Sequence, residues 1–418
     1  MQELKNLSQR PISLGQVGLW LLVSFVLGAG GGIGAMRLVQ SHTACTESAD
    51  ICQQFGVFWQ AWNLARTRFV NADAADPARM TSGAVNGMLN TLGDMGHTRF
   101  LSADEAKEWR TSLSGEFEGI GAYLDVRNGE AIIVAPLEGS PAERAGLQDD
   151  DRIMKVDGVS TTGWDATRLV MAIRGPRDTT VTLTILRAGT AEPFDVRITR
   201  ETLKAESVRW GMLADKIALI EISSFATESG KEFARALQAA VDGGARAVVL
   251  DLRNNPGGLV YQAVDTAAQF LPQGSAVLLE QDRNGNRKSI TTDHTGIAQT
   301  LPLVLLVNHN TASSAEILAG ALQDAERAKV VGTATVGTGT VLDTYTLEGG
   351  AELLLGTTQW LTPKGRLIHN AGITPDIQAE LPETTRSLSP RDAAKLSAEE
   401  LQASSDTQLV TAVSLVKN

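Results

Sequence analysis

Four short, mainly apolar runs set the strongest limit on the fold: Ile217-Ala-Leu-Ile220, Ala247-Val-Val-Leu-Asp-Leu252, Leu303-Val-Leu-Leu-Val307 and Val330-Val331. Each is too short for a helix and apolar on both faces, which is how a strand covered by helices on each side reads. Helical segments near Lys231–Val241, Leu259–Gln269 and Ala315–Gln323 separate them. Strand–helix–strand alternation of this kind predicts an α/β core with crossover connections.

The 418 residues exceed one compact core, and about 150 per domain gives two or three units. From Ile120 to Thr199 the texture is β: Ala131–Val134, Ile153–Val156, Val181–Leu186 and Phe194–Ile198, broken by Gly/Pro/Asp turns and one helix over Asp165–Arg174. Before it, Phe58, Trp59, Trp62, Leu64 and Ala65, then Met80, Ala84, Met88 and Leu92, recur at helical spacing. The expected division is a tail over 1–16, an apolar segment over 17–36, a linker over 37–54, a helical region over 55–102, a β-domain over 103–200, the α/β core over 201–386, and a C-terminal tail with a short helix over 387–418.

Val17–Met36 carries no charge, and its roughly 20 residues suffice to cross a bilayer. Lys5 and Arg10 precede it, so the reading is an uncleaved signal anchor that places the remainder extracytoplasmically at a cell membrane, with a cleaved signal peptide as the rival. Gly30, Gly32 and Ala35 imitate a dinucleotide fingerprint without its strand and helix, and read as close-packing positions in a membrane helix. Cys45 and Cys52 follow: a disulfide in an oxidising compartment and two free thiols both remain open. Two cysteines exclude an all-cysteine zinc site. Lys+Arg 37 against Asp+Glu 48, net charge -11, disfavours nucleic acid as the main partner. No cofactor or metal is expected.

Three loops follow apolar strands, where α/β sheets present ligands. Asp251-Leu-Arg-Asn-Asn-Pro-Gly-Gly258 has paired glycines that let backbone N–H groups face a developing oxyanion, or is an ordinary strand-to-helix turn. In Asn308-His-Asn-Thr-Ala-Ser-Ser-Ala-Glu316, Ser313 and Glu316 have capping-box spacing; a serine nucleophile at a helix start would also gain from the dipole and free N–H groups. Gly332-Thr-Ala-Thr-Val-Gly-Thr-Gly-Thr-Val341 alone reads as a hairpin or loop.

These three loops, in this order and spacing, resemble those of the carboxyl-terminal processing peptidases, or tail-specific proteases. The likeness runs from about Phe55 to Val416. Leu92-Gly-Asp-Met-Gly-His-Thr-Arg-Phe-Leu101 is similar to that family's helical lead-in, and Gly115-Glu-Phe-Glu-Gly-Ile-Gly121 to the opening of its PDZ domain. Pro136–Gly146, Asp150–Ile153 and Val156-Asp-Gly158 resemble the PDZ interior; Thr362–Arg366 and Gly372–Asp376 resemble the late sheet element. The resemblance implies an α+β multidomain chain: an α/β peptidase core of the crotonase/ClpP-like type, an inserted PDZ domain, an N-terminal helical segment and one transmembrane helix.

It also implies chemistry. The family's serine nucleophile falls on Ser313, oxyanion donors on the N–H groups of Gly257, Gly258 and Ser314, and the lysine general base on the position of Thr338. Threonine cannot serve as that base near neutral pH. Lys329, His309, Lys364 and His369 are the substitutes weighed, with His309 and Lys364 foremost. Gly119, Ile120, Gly121 and Ala122 resemble the loop that receives a peptide's terminal carboxylate. The resemblance thus predicts a membrane-anchored serine-type endopeptidase that captures protein C-termini and cleaves near them. The alternative is a pseudoprotease, a peptide-binding scaffold lacking the base.

Overall fold

The structure is a computed structural model that describes residues 48–94, 97–127, 129–137, 139–190, 192–382, 385 and 387–417. It divides into two compact units, Met1–Thr81 and Ser82–Asn418. In the first, α1 (Ala49–Arg68) is an aromatic-rich helix without a buried residue, and its Phe58 and Trp59 rings meet edge to face at 5.2 Å. Cys52 is disulfide-bonded, one of the two states left open by the sequence; Cys45 lies outside the described residues. Helix α2 (Pro77–Asn90) leads into the second unit, where α3 (Ala103–Leu113) starts on a capping box between Ser102 and Glu105.

One element of the expected fold class is corrected. Among the described residues no helix is long and apolar enough to cross a membrane, and the predicted anchor over 17–36 lies outside them. The apolar run gives a composition, but neither a spanning helix nor its use as a membrane partner is found among the described residues.

The β-domain is a five-strand antiparallel path, β1 (Ala122–Arg127), β2 (Glu130–Pro136), β3 (Arg152–Val156), β4 (Thr180–Leu186) and β5 (Phe194–Thr199), in that spatial order. Ile133, Ile153, Val181, Leu183, Ile185 and Ile198 fill one face, the alternation that the sequence pattern predicts. Helix α4 (Ala166–Ile173) covers them with Leu169 and Ile173, starting where the Asp165 carboxylate accepts the Arg168 N–H. Among the described residues β1 is an edge strand with one side unpaired.

The core sheet runs β6 (Val208–Met212), β7 (Ile217–Ile222), β8 (Ala247–Asp251), then β11 (Leu303–Val307), β12 (Lys329–Gly332) and β15 (Ile377–Gln378). Only β6 is antiparallel to its neighbour. Alternate residues face opposite layers. Ala218, Ile220, Val248, Leu250 and Leu305 pack under α5 (Ser229–Asp242), α6 (Val260–Ala268) and α7 (Ser314–Asp324). Leu219, Val249, Val304 and Leu306 pack against Leu409, Ala412 and Val413 of α8 (Thr407–Lys417). Coverage on both sides is why the central strands read as near-continuous apolar runs.

A second sheet was not legible in the sequence. In it β14 (Glu352–Leu361) pairs with β9 (Ala276–Asp282), with β13 (Thr340–Thr346) and with Arg99–Leu101, while β10 (Arg287–Thr291) completes the β9 edge. The third loop is therefore not a closed hairpin: it carries the chain from β12 of one sheet into β13 of the other.

Candidate active site

The loops after β8, β11 and β12 meet at one edge of the core sheet, because parallel strands put all three carboxyl ends together. Ser313 sits at the turn into α7 with φ 55 and ψ -123, a left-handed backbone that a non-glycine residue rarely adopts. That geometry decides how Ser313 serves the helix. Its hydroxyl makes no cap bond; Glu316 N–H donates instead to the Ser313 carbonyl at 2.8 Å. Only the reverse half of the box persists, in which Ser313 N–H donates to Glu316 Oε2 at 2.8 Å.

Glu316 is fully buried and is the organising anion of the third loop. Its Oε1 accepts from Thr335 Oγ1 at 2.5 Å and Gly337 N at 2.7 Å. Its Oε2 accepts from Thr338 N at 2.9 Å and Thr338 Oγ1 at 3.0 Å. Thr338 Oγ1 in turn accepts from Ser313 N at 3.2 Å. The position at which a lysine is expected thus holds a hydroxyl locked between the serine backbone and a carboxylate. The carboxylate, foreseen only as a structural partner of Ser313, joins two loops by five donors. Replacing Glu316 by glutamine swaps one acceptor oxygen for an NH2 facing at least two of those donors. The expected outcome is a loss of about 3 kcal/mol in denaturant melts, the scale of buried donors left unsatisfied.

Gly257 and Gly258 adopt φ 95 and φ 136. A Cβ on Gly257 would lie 2.6 Å from that of Ser313, and one on Gly258 would lie 2.4 Å from the Phe225 carbonyl, so only glycine lets this loop lie against the serine. Among the described residues the N–H groups of Gly258 and Ser314 have no acceptor, whereas Gly257 N–H is engaged by Asn255 Oδ1 at 2.8 Å. Two of the three sequence-named donors are therefore uncommitted. The Ser314 hydroxyl donates to Gly258 O at 2.7 Å and holds the loops together.

The weighed substitutes for lysine lie elsewhere. His309 lines a cavity of about 610 Å3 with Asn254, Asn308 and Glu380, and Ser313 is not among its walls. Lys364 pairs with Glu326 and Lys329 with Asp376, and both lysine side chains are exposed. His369 packs its backbone over Gly339 and points Nδ1 toward Asp94 Oδ1 at 3.9 Å.

A group the sequence reading passed over stands beside it. His97 Nδ1 lies 2.7 Å from Thr340 Oγ1, across 243 residues of chain. Thr340 Oγ1 reaches Asp94 Oδ1 at 3.1 Å, and Thr98 Oγ1 donates to Asp94 Oδ2 at 2.5 Å. Burial holds the His97 pKa below the usual histidine value; Asp94 opposes this, while Arg99 and His369 add to it. The Asp94-x-x-His97 spacing is visible in sequence, but its partner strand β13 is not.

In the β-domain, Gly119 ends a short strand and Ala122 begins β1, with Ile120 buried between the two. Gly121 has φ 75, and a Cβ there would lie 2.4 Å from Ser140 Cβ. Among the described residues the N–H groups of Ile120 and Gly121 have no acceptor, and they stand at the head of the open β1 edge. That juxtaposition suits a terminal carboxylate with a strand paired behind it.

Comparison with known proteins agrees with this architecture. The Peptidase family S41 profile matches residues 216–379 and a PDZ domain profile matches residues 132–187. The chain is 37% identical over 308 residues to the "Carboxy-terminal processing protease CtpA" of Bacillus subtilis (strain 168), covering 74% of this chain and 66% of that protein. It is 36% identical over 309 residues to the "Probable CtpA-like serine protease" of Staphylococcus aureus (strain COL), covering 74% of this chain and 62% of the relative. The chain therefore spans less than two thirds of the length of these relatives. A solved structure assigned to the S41 proteases of Bacteroides fragilis NCTC 9343 superposes with a TM-score of 0.56 at 18% identity, covering 79% of this chain and 90% of that one, and shares the fold. With the S41 core, the inserted PDZ domain and this degree of identity together, the chain belongs to the C-terminal processing peptidase family.

Proposed function

We propose that this protein is a serine-type endopeptidase that binds protein C-termini in its PDZ domain and cleaves the same chains at Ser313. One observation carries the reading: a serine on a left-handed turn at a helix start, its hydroxyl released from capping, beside the unengaged N–H groups of Gly258 and Ser314. Ser313 Oγ attacks the scissile carbonyl, and those N–H groups receive the oxygen as it gains charge. The disulfide on Cys52 supports work in an oxidising, extracytoplasmic compartment.

The second reading, a scaffold without hydrolysis, is favoured by the Thr338 hydroxyl in the lysine's place. One experiment separates them. An unfolded protein with a free apolar C-terminus is incubated with the enzyme below saturation, beside its C-terminally amidated twin. The peptidase reading expects cleavage of the free form and at least about tenfold slower cleavage of the amidated one, since a charge-assisted carboxylate bond contributes about 1.5–3 kcal/mol. Binding of the free form without any cleavage would support the scaffold, and equal cleavage of both would remove the PDZ domain from substrate capture.

A further inference from the structure

We propose that His97 is the proton acceptor for Ser313, oriented by Thr340 and Asp94, and stands in for the lysine that Thr338 replaces. The inference rests on the peptidase reading and adds the group that reading lacks. Its first support is the direction of the hydrogen bonds. The Asp94 carboxylate only accepts, so Thr340 Oγ1 spends its proton on Asp94 and must itself accept from His97. His97 then carries its proton on Nδ1. Nε2 is left with a bare lone pair and no hydrogen bond among the described residues. A nucleophile served by a base that a third group holds in one tautomer is the general logic of activated serines.

The second support is place. Thr338 and Thr340 are two residues apart, at most about 7 Å between Cα atoms. One hydroxyl accepts from Ser313 N at 3.2 Å and the other from His97 at 2.7 Å. The segment that should carry the base thus bridges the serine and the histidine. The third is charge state. Burial favours the neutral ring near neutral pH, which is the form a base needs. The charged and titratable groups acting on it are Asp94, Arg99 and His369. The Nδ1 of His369 is buried without a hydrogen bond, so nothing fixes its tautomer in the same way.

The steps balance. As Ser313 Oγ bonds to the scissile carbon, the carbonyl electron pair moves to oxygen and the serine proton moves to His97 Nε2. When the C–N bond breaks, that proton passes to the departing amine. Water then attacks the acyl carbon, gives its proton to His97, and the proton returns to Ser313 Oγ as the acid leaves.

The test measures kcat/KM on an unfolded protein substrate for the parent, Ser313→Ala, Thr338→Lys, His97→Asn and the double variant His97→Asn/Thr338→Lys, with melting curves for each. Asparagine keeps an N–H toward Thr340 but supplies no base, so a folded variant is expected. Activity should fall at least about a hundredfold in His97→Asn, the scale of general-base catalysis. It should recover at least about tenfold in the double variant, with the acid limb of the pH profile moved to higher pH, because a lysine then titrates in place of a histidine. A purely structural His97 would not be rescued by a lysine on the other loop. His97→Asn within about threefold of the parent, or a loss that the double variant does not recover, overturns the role of His97 alone. If parent and Thr338→Lys are both no more active than Ser313→Ala, the peptidase reading falls and the role of His97 falls with it.

Discussion

Ser313→Ala is expected to lower kcat for peptide-bond hydrolysis by at least about a thousandfold while KM stays within about a factor of two. The hydroxyl makes no cap bond in the folded protein, so its removal takes away no capping interaction of α7. It also leaves the β1 edge and the Gly119–Ala122 loop untouched, because these belong to a separate sheet. The loss therefore falls on the transition state alone, and such a change lowers kcat without raising KM. Steady-state kinetics on an unfolded substrate, with thermal melts as a control, checks both halves. Undiminished hydrolysis in the variant would place the nucleophile elsewhere.

Arg253→Met should destabilise the Ser82–Asn418 unit by about 3–5 kcal/mol, the cost of removing one partner from a buried ionic group. Arg253 is 4% exposed and donates to Asp251 Oδ2 at 2.7 Å, to Asp406 Oδ1 at 2.8 Å and to Gln408 Oε1 at 3.2 Å. Burial works against its charge, but Asp251 and then Asp406 outweigh that and raise its pKa above the usual arginine value. Methionine fills similar space and leaves the buried carboxylates of Asp251 and Asp406 without their shared cation. The arginine also ties the start of α8 to the turn after β8, the turn that continues into Gly257 and Gly258. Unfolding in urea should show a lower midpoint, and a drop in melting temperature of roughly 10 °C follows for a unit of this size. An unchanged midpoint would mean that the three charges are not coupled in solution.

The two variants probe different links. One removes the hydroxyl proposed to react from an intact frame; the other loosens the frame at the root of the Gly257–Gly258 loop. Activity per folded molecule separates them: it should collapse in Ser313→Ala, whereas Arg253→Met should keep part of it below its melting range.

Local chemistry determined much of this protein in advance. Strand and helix periodicities marked the core strands, the crossover helices and most of the β-domain, because burial on one face or two writes itself directly into apolar spacing. Paired glycines, the serine at a helix start and the missing lysine were also legible, since each depends on residues within a few positions of one another. Other features were decided only by tertiary structure. The sheet that joins Arg99–Leu101 to β9, β13 and β14 is assembled from segments up to hundreds of residues apart. The membrane helix predicted from composition found no counterpart among the described helices. Glu316 read as a cap because its nearest partner is Ser313, yet three-dimensional packing brings it Thr335, Gly337 and Thr338 as well. His97 gave little signal on its own. Its meaning comes from Thr340, across 243 residues of chain, and no local pattern encodes a contact made by closing so long a loop.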